Sequence, residues 1–311
     1  MKPVVVAVVG PTAVGKTSLS VEIARRFAGE VISGDSMQIY RGMDIGTAKI
    51  TDEETRGIPH HLIDIKQPDE SFSAAEFQQR VADCVSTITE RNHLPVIAGG
   101  TGLYIQAALN GYNFADQKRD DAFHEQLEKE ISQDGIAALY ARLEKVDPEQ
   151  AAKIHPNNKR RVIRALEVFE KTGKTMSEYQ DAQQIESPYR PILIGLEMER
   201  EQLYQRINDR VDEMIKTGLV EEVRNLYNKG FANTQSMKAI GYKEMIPYIK
   251  GEMDLDEAVD LLKRNSRRFA KRQLTWFKNK MNVDWYTITP EQKDKQFETI
   301  LNDLAGMLEK K

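Results

Sequence analysis

The sequence predicts an α/β protein: a P-loop, nucleotide-kinase-like parallel sheet covered by helices and interrupted by a helical insertion. Three observations predict it. Strand and helix patterns alternate over residues 4–109. The segment Gly10 to Thr17, Gly-Pro-Thr-Ala-Val-Gly-Lys-Thr, follows directly on an apolar run at 4–9, and a strand that enters a glycine-permissive turn and opens a helix is the context in which such a segment cradles phosphate. Strand patterns vanish between 113 and 190 and then resume. The core is therefore expected over 1–112 and 191–311, with the insertion at 113–190.

The elements follow in order. Residues 4–9 are continuously apolar, as befits a parallel strand buried on both faces. A helix at 16–27 opens on the second glycine of the loop; a strand at 30–33, a helix at 76–91, a strand at 94–98 and a helix starting over 103–109 continue the alternation. Between 39 and 73 the residues Gly42, Gly46, Gly57, Pro59 and Pro68 break the pattern, so this stretch reads as a long loop or a set of short elements. The insertion carries amphipathic helices at 122–132, 136–145 and 159–172, the last ended by Gly173. A strand at 192–196, helices at 202–216 and 219–229 and a late strand at 285–288 complete the core.

Composition narrows the function classes. At 311 residues the chain exceeds the usual single domain, and its 30% charged and 40% hydrophobic residues are ordinary for a soluble globular protein. The lone Cys84 excludes an internal disulfide, fits a reducing cytosol and reads as a packing residue. No apolar stretch approaches the roughly 20 residues a membrane span needs. The short apolar run at 4–9 ends in the glycine loop instead of a cleavage site, so a cytoplasmic location is expected. A net charge of −4 excludes a uniformly basic nucleic-acid binder and leaves the placement of charge to decide.

The backbone of Gly10, Pro11, Thr12, Ala13, Val14, Gly15, Lys16 and Thr17 is expected to surround phosphate oxygens. Lys16 then reaches the outer phosphate and the Thr17 hydroxyl takes one site on Mg²⁺, so the ligand is a diphosphate or triphosphate with its metal. Ligands of doubly wound sheets sit at the carboxyl ends of the strands, and two further strand ends carry polar groups there. Asp35 follows 31–34, where it would hold the water shell of Mg²⁺, act as a general base or cap the next segment. Thr101 follows 96–100 and would either face the crevice or cap the helix that begins near 103. Arg206 and Arg210, four apart on one helix, suit a phosphate clamp or a solvated face. His60 and His61 are adjacent, lack the spacing of a zinc site and read as structural.

Positive charge is concentrated. Lys263, Arg264, Arg267, Arg268, Lys271 and Arg272 recur as one stripe on a helix whose other face carries Leu262 and Phe269. Lys159, Arg160, Arg161 and Arg164 form a second cluster in the insertion, and Lys238 and Lys243 flank the turn 240–242. Three such clusters on a net-negative chain point to a phosphodiester backbone.

With these residues assembled, nearly the whole chain resembles the tRNA dimethylallyltransferase (tRNA isopentenyltransferase) family. The loop at 10–17 is similar to that family's, as are Gly34-Asp35-Ser36-Met37-Gln38-Ile39-Tyr40, Pro59-His60-His61-Leu62-Ile63-Asp64 and Ala98-Gly99-Gly100-Thr101-Gly102-Leu103-Tyr104. So are Arg161 through Arg164-Ala165-Leu166-Glu167-Val168, Gly241-Tyr242 and Lys271-Arg272-Gln273-Leu274-Thr275-Trp276-Phe277. The loop alone is shared with many NTPases; the rest, in this order, is specific.

The resemblance implies that the loop holds the diphosphate of dimethylallyl diphosphate and that no ATP need be consumed. The prenyl group would pass to the exocyclic amine of the adenine 3′ of the anticodon. Lys16, the loop amides, Mg²⁺ and Arg210 would stabilise the leaving diphosphate, Thr101 would hydrogen-bond near it, and Asp35 would take the amine proton. The target base would flip into a channel opposite the diphosphate and be read by Ser36, Met37 and Gln38. The anticodon stem-loop would be gripped by Lys159, Arg160, Arg161, Val162 and Ile163, by Phe123 or His124, and by the basic residues Lys238, Lys243, Lys271 and Arg272. A monomer is expected. The family usually has Asp where Asn158 stands, and the absence of the zinc finger of eukaryotic relatives suggests a bacterial enzyme.

Three other readings compete. An adenylate isopentenyltransferase shares the core and chemistry but acts on a free nucleotide and needs neither insertion nor basic stripes. A small-molecule kinase would use the loop for ATP. A non-catalytic RNA-binding module would explain the basic clusters but not the loop with Asp35 and Thr101.

Overall fold

The computed structural model describes residues 2–112, 114, 121–181 and 186–310, and the chain divides into two compact units, Met1–Asn110 with Ser187–Lys311 and Gly111–Glu186. Residue 113, where the insertion is expected to begin, lies outside the described residues.

The first unit is a six-stranded sheet whose paired strands are all parallel. Its first part runs β1 (Val4–Val9), α1 (Lys16–Arg26), β2 (Gly29–Ser33), the short α2 (Asp52–Thr55) and β3 (His60–His61), α3 (Ala74–Glu90), β4 (Leu94–Gly99) and α4 (Gly102–Asn110). The strand order is β3-β2-β4-β1, continued by two later strands. Alternate residues of β1 serve opposite layers, because strand side chains alternate faces. Val5, Ala7 and Val9 join the buried cluster that includes Phe77 and Val81 of α3, whereas Val6 and Val8 join the one that includes Leu19 and Ile23 of α1.

The helical unit contains α5 (Asp121–Asp134), α6 (Ile136–Val146), α7 (Pro148–Lys153), α8 (Lys159–Thr172) and α9 (Met176–Asp181). Its core joins Leu127 and Ile131 of α5 to Leu139 and Leu143 of α6 and to Val162, Ile163 and Leu166 of α8. This corrects one expectation. Val162 and Ile163, in the segment expected to touch RNA, are 0% and 1% exposed, so their side chains serve the core of this unit. The Asn158 side chain accepts the Arg161 N–H at 3.3 Å and caps α8, so the cap is made without a carboxylate.

The chain then returns to the sheet with β5 (Arg190–Glu197), α10 (Arg200–Lys216), α11 (Leu219–Asn228), α12 (Tyr242–Ile249), α13 (Leu255–Lys280), β6 (Asp284–Thr287) and α14 (Lys293–Glu309). The expected run of helices had omitted α12 and α14. Within α14, Phe297, Ile300, Leu301 and Leu304 pack with Leu19 and Ile23 of α1 on one side of the sheet.

The basic stripe of α13 is not continuous. Lys263 pairs with Asp212 at 2.6 Å, and Arg267 donates to the Asn208 side chain at 2.6 Å while its guanidinium lies over Tyr204; these partners all belong to α10. The two cations fasten α13 to α10, leaving Arg264, Arg268, Lys271 and Arg272 exposed. Phe269 also departs from expectation: it is half-buried and faces a cavity, while the buried face of α13 runs through Ala258, Leu262, Ser266, Ala270, Gln273 and Phe277.

The structural reading of the histidines accounts for their surroundings. His61 Nε2 and His93 Nδ1 each lie 2.7 Å from the buried Glu30 carboxylate, which also accepts from Arg91. Cys84 is half-buried in α3, and burial pushes its thiol up to about 11, as suits packing. No helix among the described residues is long and apolar enough to cross a membrane.

Candidate active site at the carboxyl edge of the sheet

Register places the strand ends in one row: Val9 pairs with Gly99 and with Gly195, and Ser33 with Ala98. Close backbone approach then joins the loops that follow. A Cβ on Gly10 would lie 2.4 Å from the Leu196 carbonyl oxygen, and one on Gly99 would lie 2.2 Å from that of Gly34, so only glycine fits. The β2 and β4 loops are thereby pressed together. Thr101 donates its N–H to the Gly34 carbonyl at 3.3 Å, and its hydroxyl oxygen accepts the Ser36 N–H at 3.1 Å. Asp35 accepts the Met37 N–H at 2.8 Å, which turns the chain locally and holds the carboxylate in place.

The phosphate loop lies beside them. Gly15 precedes α1 in the left-handed region, with φ of 109°, and Lys16 Nζ donates to the Pro11 carbonyl at 2.6 Å. Thr17 is exposed at the first turn of α1. From α10, Arg206 donates to the Ala13 carbonyl at 3.0 Å, and the half-buried Arg210 acts electrostatically on both Lys16 and Asp35.

Two cavities adjoin at this point. One, of about 370 Å³, is lined by Gly15, Lys16, Thr17, Arg206 and Gln273. The other, of about 300 Å³, is lined by Met37, Ile207, Val211, Met214, Ile240 and Leu262, with Lys238, Lys243 and Arg272 also on its walls. Thr12, Asp35, Arg210 and Phe269 line both. The arrangement offers a charge-binding chamber and a largely apolar one, with a carboxylate and a guanidinium at their boundary.

Burial shifts the groups that meet there. Desolvation, reinforced by the Arg210 charge and opposed by Asp35, brings Lys16 down to about 7. Desolvation raises Asp35 above the usual carboxylate range even though the Met37 N–H and the Lys16 charge favour its ionised form. A raised carboxylate beside a binding cavity suits proton abstraction.

Several positioning groups had no sequence signal. Glu222 of α11 accepts the N–H groups of Asp44, Ile45 and Gly46 at 2.9, 2.9 and 3.1 Å and the Tyr242 hydroxyl at 2.6 Å. Gly46 admits this ring, because a Cβ there would lie 2.5 Å from it. The anchored loop continues into Thr47 and Ala48, whose carbonyls both accept from the Gln38 side chain at 3.3 Å. Gln38 thus has its amide engaged by the protein. The Gly241-Tyr242 pair was visible as a motif; its acidic partner Glu222 lies in an ordinary amphipathic helix and was not.

The remaining expected contacts divide by exposure. Lys159, Arg160 and Arg161 are exposed on the first turn of α8, and Lys238, Lys243, Lys271 and Arg272 are exposed in the first unit. Phe123 is half-buried against the core of the helical unit, and His124 pairs with Glu167 at 2.9 Å and Glu128 at 3.3 Å.

The strand–glycine turn–helix at 10–17, the parallel strand order and the strand-end acid define the class: an α/β protein with a P-loop-like core and two adjoining chambers at the carboxyl edge of its sheet. A family model described as IPP transferase matches residues 38–280, and the chain belongs to that family. It is 60% identical over 311 residues to the tRNA dimethylallyltransferase of Oceanobacillus iheyensis, covering 100% of this chain and 99% of the relative. Among solved structures, the full-length tRNA isopentenylpyrophosphate transferase of Bacillus halodurans matches at 53% identity and a TM-score of 0.76, over 99% of this chain and 97% of that one. A eukaryotic dimethylallyltransferase acting on tRNA matches at 30% identity and a TM-score of 0.84, over 98% of this chain and 80% of that one.

Proposed function

We propose that the protein transfers the dimethylallyl group of dimethylallyl diphosphate to the exocyclic amine of the adenine 3′ of the anticodon in tRNA. The observation that carries this reading is Asp35 on the boundary between the phosphate-loop chamber and the apolar chamber. A leaving diphosphate on one side and an incoming amine on the other would meet at that carboxylate.

In the step, the allylic carbon–oxygen bond to diphosphate breaks, the carbon–nitrogen bond forms, and the amine proton goes to Asp35. The amine is a weak nucleophile because its lone pair is delocalised into the ring, so a positioned base has chemistry to assist. Lys16, the loop N–H groups and Arg210 counter the negative charge that builds on the leaving group. Thr101 holds the Asp35 turn through Ser36. A base inside an anticodon loop reaches this depth only when extruded, and the aliphatic walls of the second chamber suit its faces.

Mg²⁺ fits the residues present. No cluster of three His, Cys, Asp or Glu side chains capable of holding a metal occurs among the described residues. The exposed Thr17 hydroxyl stands at the end of the phosphate loop, so the donor set suits an ion carried mainly by substrate phosphate. Bound there, Mg²⁺ would supply counter-charge to the diphosphate.

RNA as acceptor is favoured by the start of α8. Lys159, Arg160 and Arg161 occupy a first helical turn that has no acidic residue, where the helix dipole disfavours cations. The helix dipole gives folding no gain from that placement, whereas a phosphate backbone would use the exposed cations. A free nucleotide needs no such face. Incubating the protein with dimethylallyl diphosphate and either unmodified tRNA or AMP, followed by mass spectrometry of the nucleosides, tests the reading. Prenylated adenosine is expected in the tRNA arm without ATP; product in the AMP arm alone, or a strict need for ATP hydrolysis, overturns it.

A further inference from the structure

Gln273 of α13 has a side-chain amide used at both ends inside the site. Its Oε1 accepts the Thr12 N–H of the phosphate loop at 2.9 Å, and its Nε2 donates to the Gly100 carbonyl at 3.1 Å. The residue is 5% exposed, and the two contacts join loops that follow different strands. Room for it is specific. A Cβ on Gly100 would lie 2.0 Å from Nε2, and a Cβ on Gly102 would lie 2.2 Å from the Trp276 ring, three residues further along α13. One face of α13 is thus seated in the Gly-Gly-Thr-Gly turn by two side chains at helical spacing.

We propose that Gln273 is a positioning residue that sets the phosphate loop in register with the Thr101–Asp35 side of the site. The inference rests on the functional reading above, because register matters only if the leaving group and the proton acceptor act in one step. The connection is continuous. Thr12 lines both chambers; Gln273 ties it to Gly100; the neighbouring Thr101 accepts the Ser36 N–H, next to Asp35. The Thr12 N–H is also thereby satisfied by protein, so the shape of the anion concavity is held by a residue of α13. Only an amide of this length offers an acceptor and a donor side by side at neutral pH; a carboxyl group matches it only when protonated.

Two variants test this. Gln273→Met keeps length and apolar packing but removes both hydrogen bonds. The expected result is a fall in kcat on the order of 10²-fold, the scale of a misplacement of about 1 Å, a weakened affinity for inorganic diphosphate, and an RNA affinity within about twofold of the starting protein. Gln273→Glu places a second acceptor against the Gly100 carbonyl until it protonates. Its kcat relative to the unaltered protein is expected to recover as pH is lowered through the raised range of a buried carboxyl, and to rise above the Met variant.

The last comparison separates positioning from charge relief. A Glu variant that levels off at the Met value, or a folded Met variant with unchanged kcat and diphosphate affinity, overturns the proposal. Should the Met variant fail to fold, the Glu ratio decides alone: recovery supports positioning, and a folded variant that stays depressed at low pH refutes it. Inorganic-diphosphate affinity is read without RNA. A failure of the transferase reading, seen as no prenylated tRNA from the unaltered protein, is thereby distinguished from a failure of Gln273 to shape the loop.

Discussion

The strand-end site and the basic faces of α8 and α13 use charge in opposite ways. At the site, Lys16, Asp35 and Arg210 are crowded into partly desolvated positions, and burial moves their proton equilibria. On the basic faces, Arg160, Arg161, Arg268 and Lys271 stand in solvent. Desolvated charges interact strongly and individually, whereas exposed ones are screened and act as a sum. A change at the site should therefore alter one step sharply, and a change on a face should alter affinity gradually with salt.

The largest expected effect is at Asp35. Asp35→Asn should lower the single-turnover rate by on the order of 10²-fold or more while leaving tRNA affinity within a few-fold. The same variant should melt higher at neutral pH. The sign follows from linkage: a carboxyl whose folded pKa is raised contributes stability that is fully present below its unfolded pKa and lost as pH rises through the folded one. The advantage of Asn should thus appear as pH rises and vanish in acid. An unchanged turnover rate would remove Asp35 from the proton-acceptor role.

Lys16 sharpens the contrast through pH. With its ammonium brought down to about 7, the free site loses positive charge above that value, and a bound diphosphate restores it. Affinity for inorganic diphosphate should therefore weaken as pH rises beyond about 7, by up to about tenfold per pH unit. Lys16→Arg, which stays charged, should flatten this dependence. Calorimetric titration across pH checks it, and a Lys16→Arg profile parallel to that of the unaltered protein would contradict the shift.

The faces should respond to salt. Replacing Arg264, Arg268 and Lys271 together by Gln is expected to reduce the magnitude of the log-affinity against log-salt slope for tRNA by about two units, at roughly 0.7–0.9 per phosphate contact. Lys263→Ala and Arg267→Ala should instead lower the melting temperature, because both residues are engaged with α10. If the second pair changes the salt slope as much as the first set, the division of the stripe is wrong.

The smallest effect is local to the helical unit. Asn158→Ala removes the α8 cap and should cost about 1 kcal/mol. Asn158→Asp keeps the cap and adds a favourable charge at the helix start, worth about 0.3–1 kcal/mol. Equal stabilities for all three proteins in urea titration would show that the cap contributes nothing.

Legibility in the sequence followed the range of the interactions. The strand at Val4–Val9 and helix α8 were readable because periodicity, Gly15 and Gly173 act within a few residues. The phosphate loop was readable because its glycines, lysine and threonine are contiguous. Glu222 and Gln273 were not readable in any role, since each meets its partners across 20 or more residues, 261 in the case of Gln273 and Thr12. The two tail helices α12 and α14 also escaped: their apolar faces gain meaning only against the sheet layers they cover.

By itself the sequence determined the α/β class, the phosphate loop and the helix and strand patterns that frame it, because backbone sterics and apolar periodicity are local. Tertiary structure alone decided that Asp35 and Arg210 line both of two adjoining chambers, that Gln273 and Glu222 brace the loops around them, and that Val162, Ile163, Lys263 and Arg267 serve packing and helix docking. Those outcomes depend on which atoms lose their water when distant segments meet. Desolvation is set by the assembled surroundings, and no stretch of chain carries that information on its own.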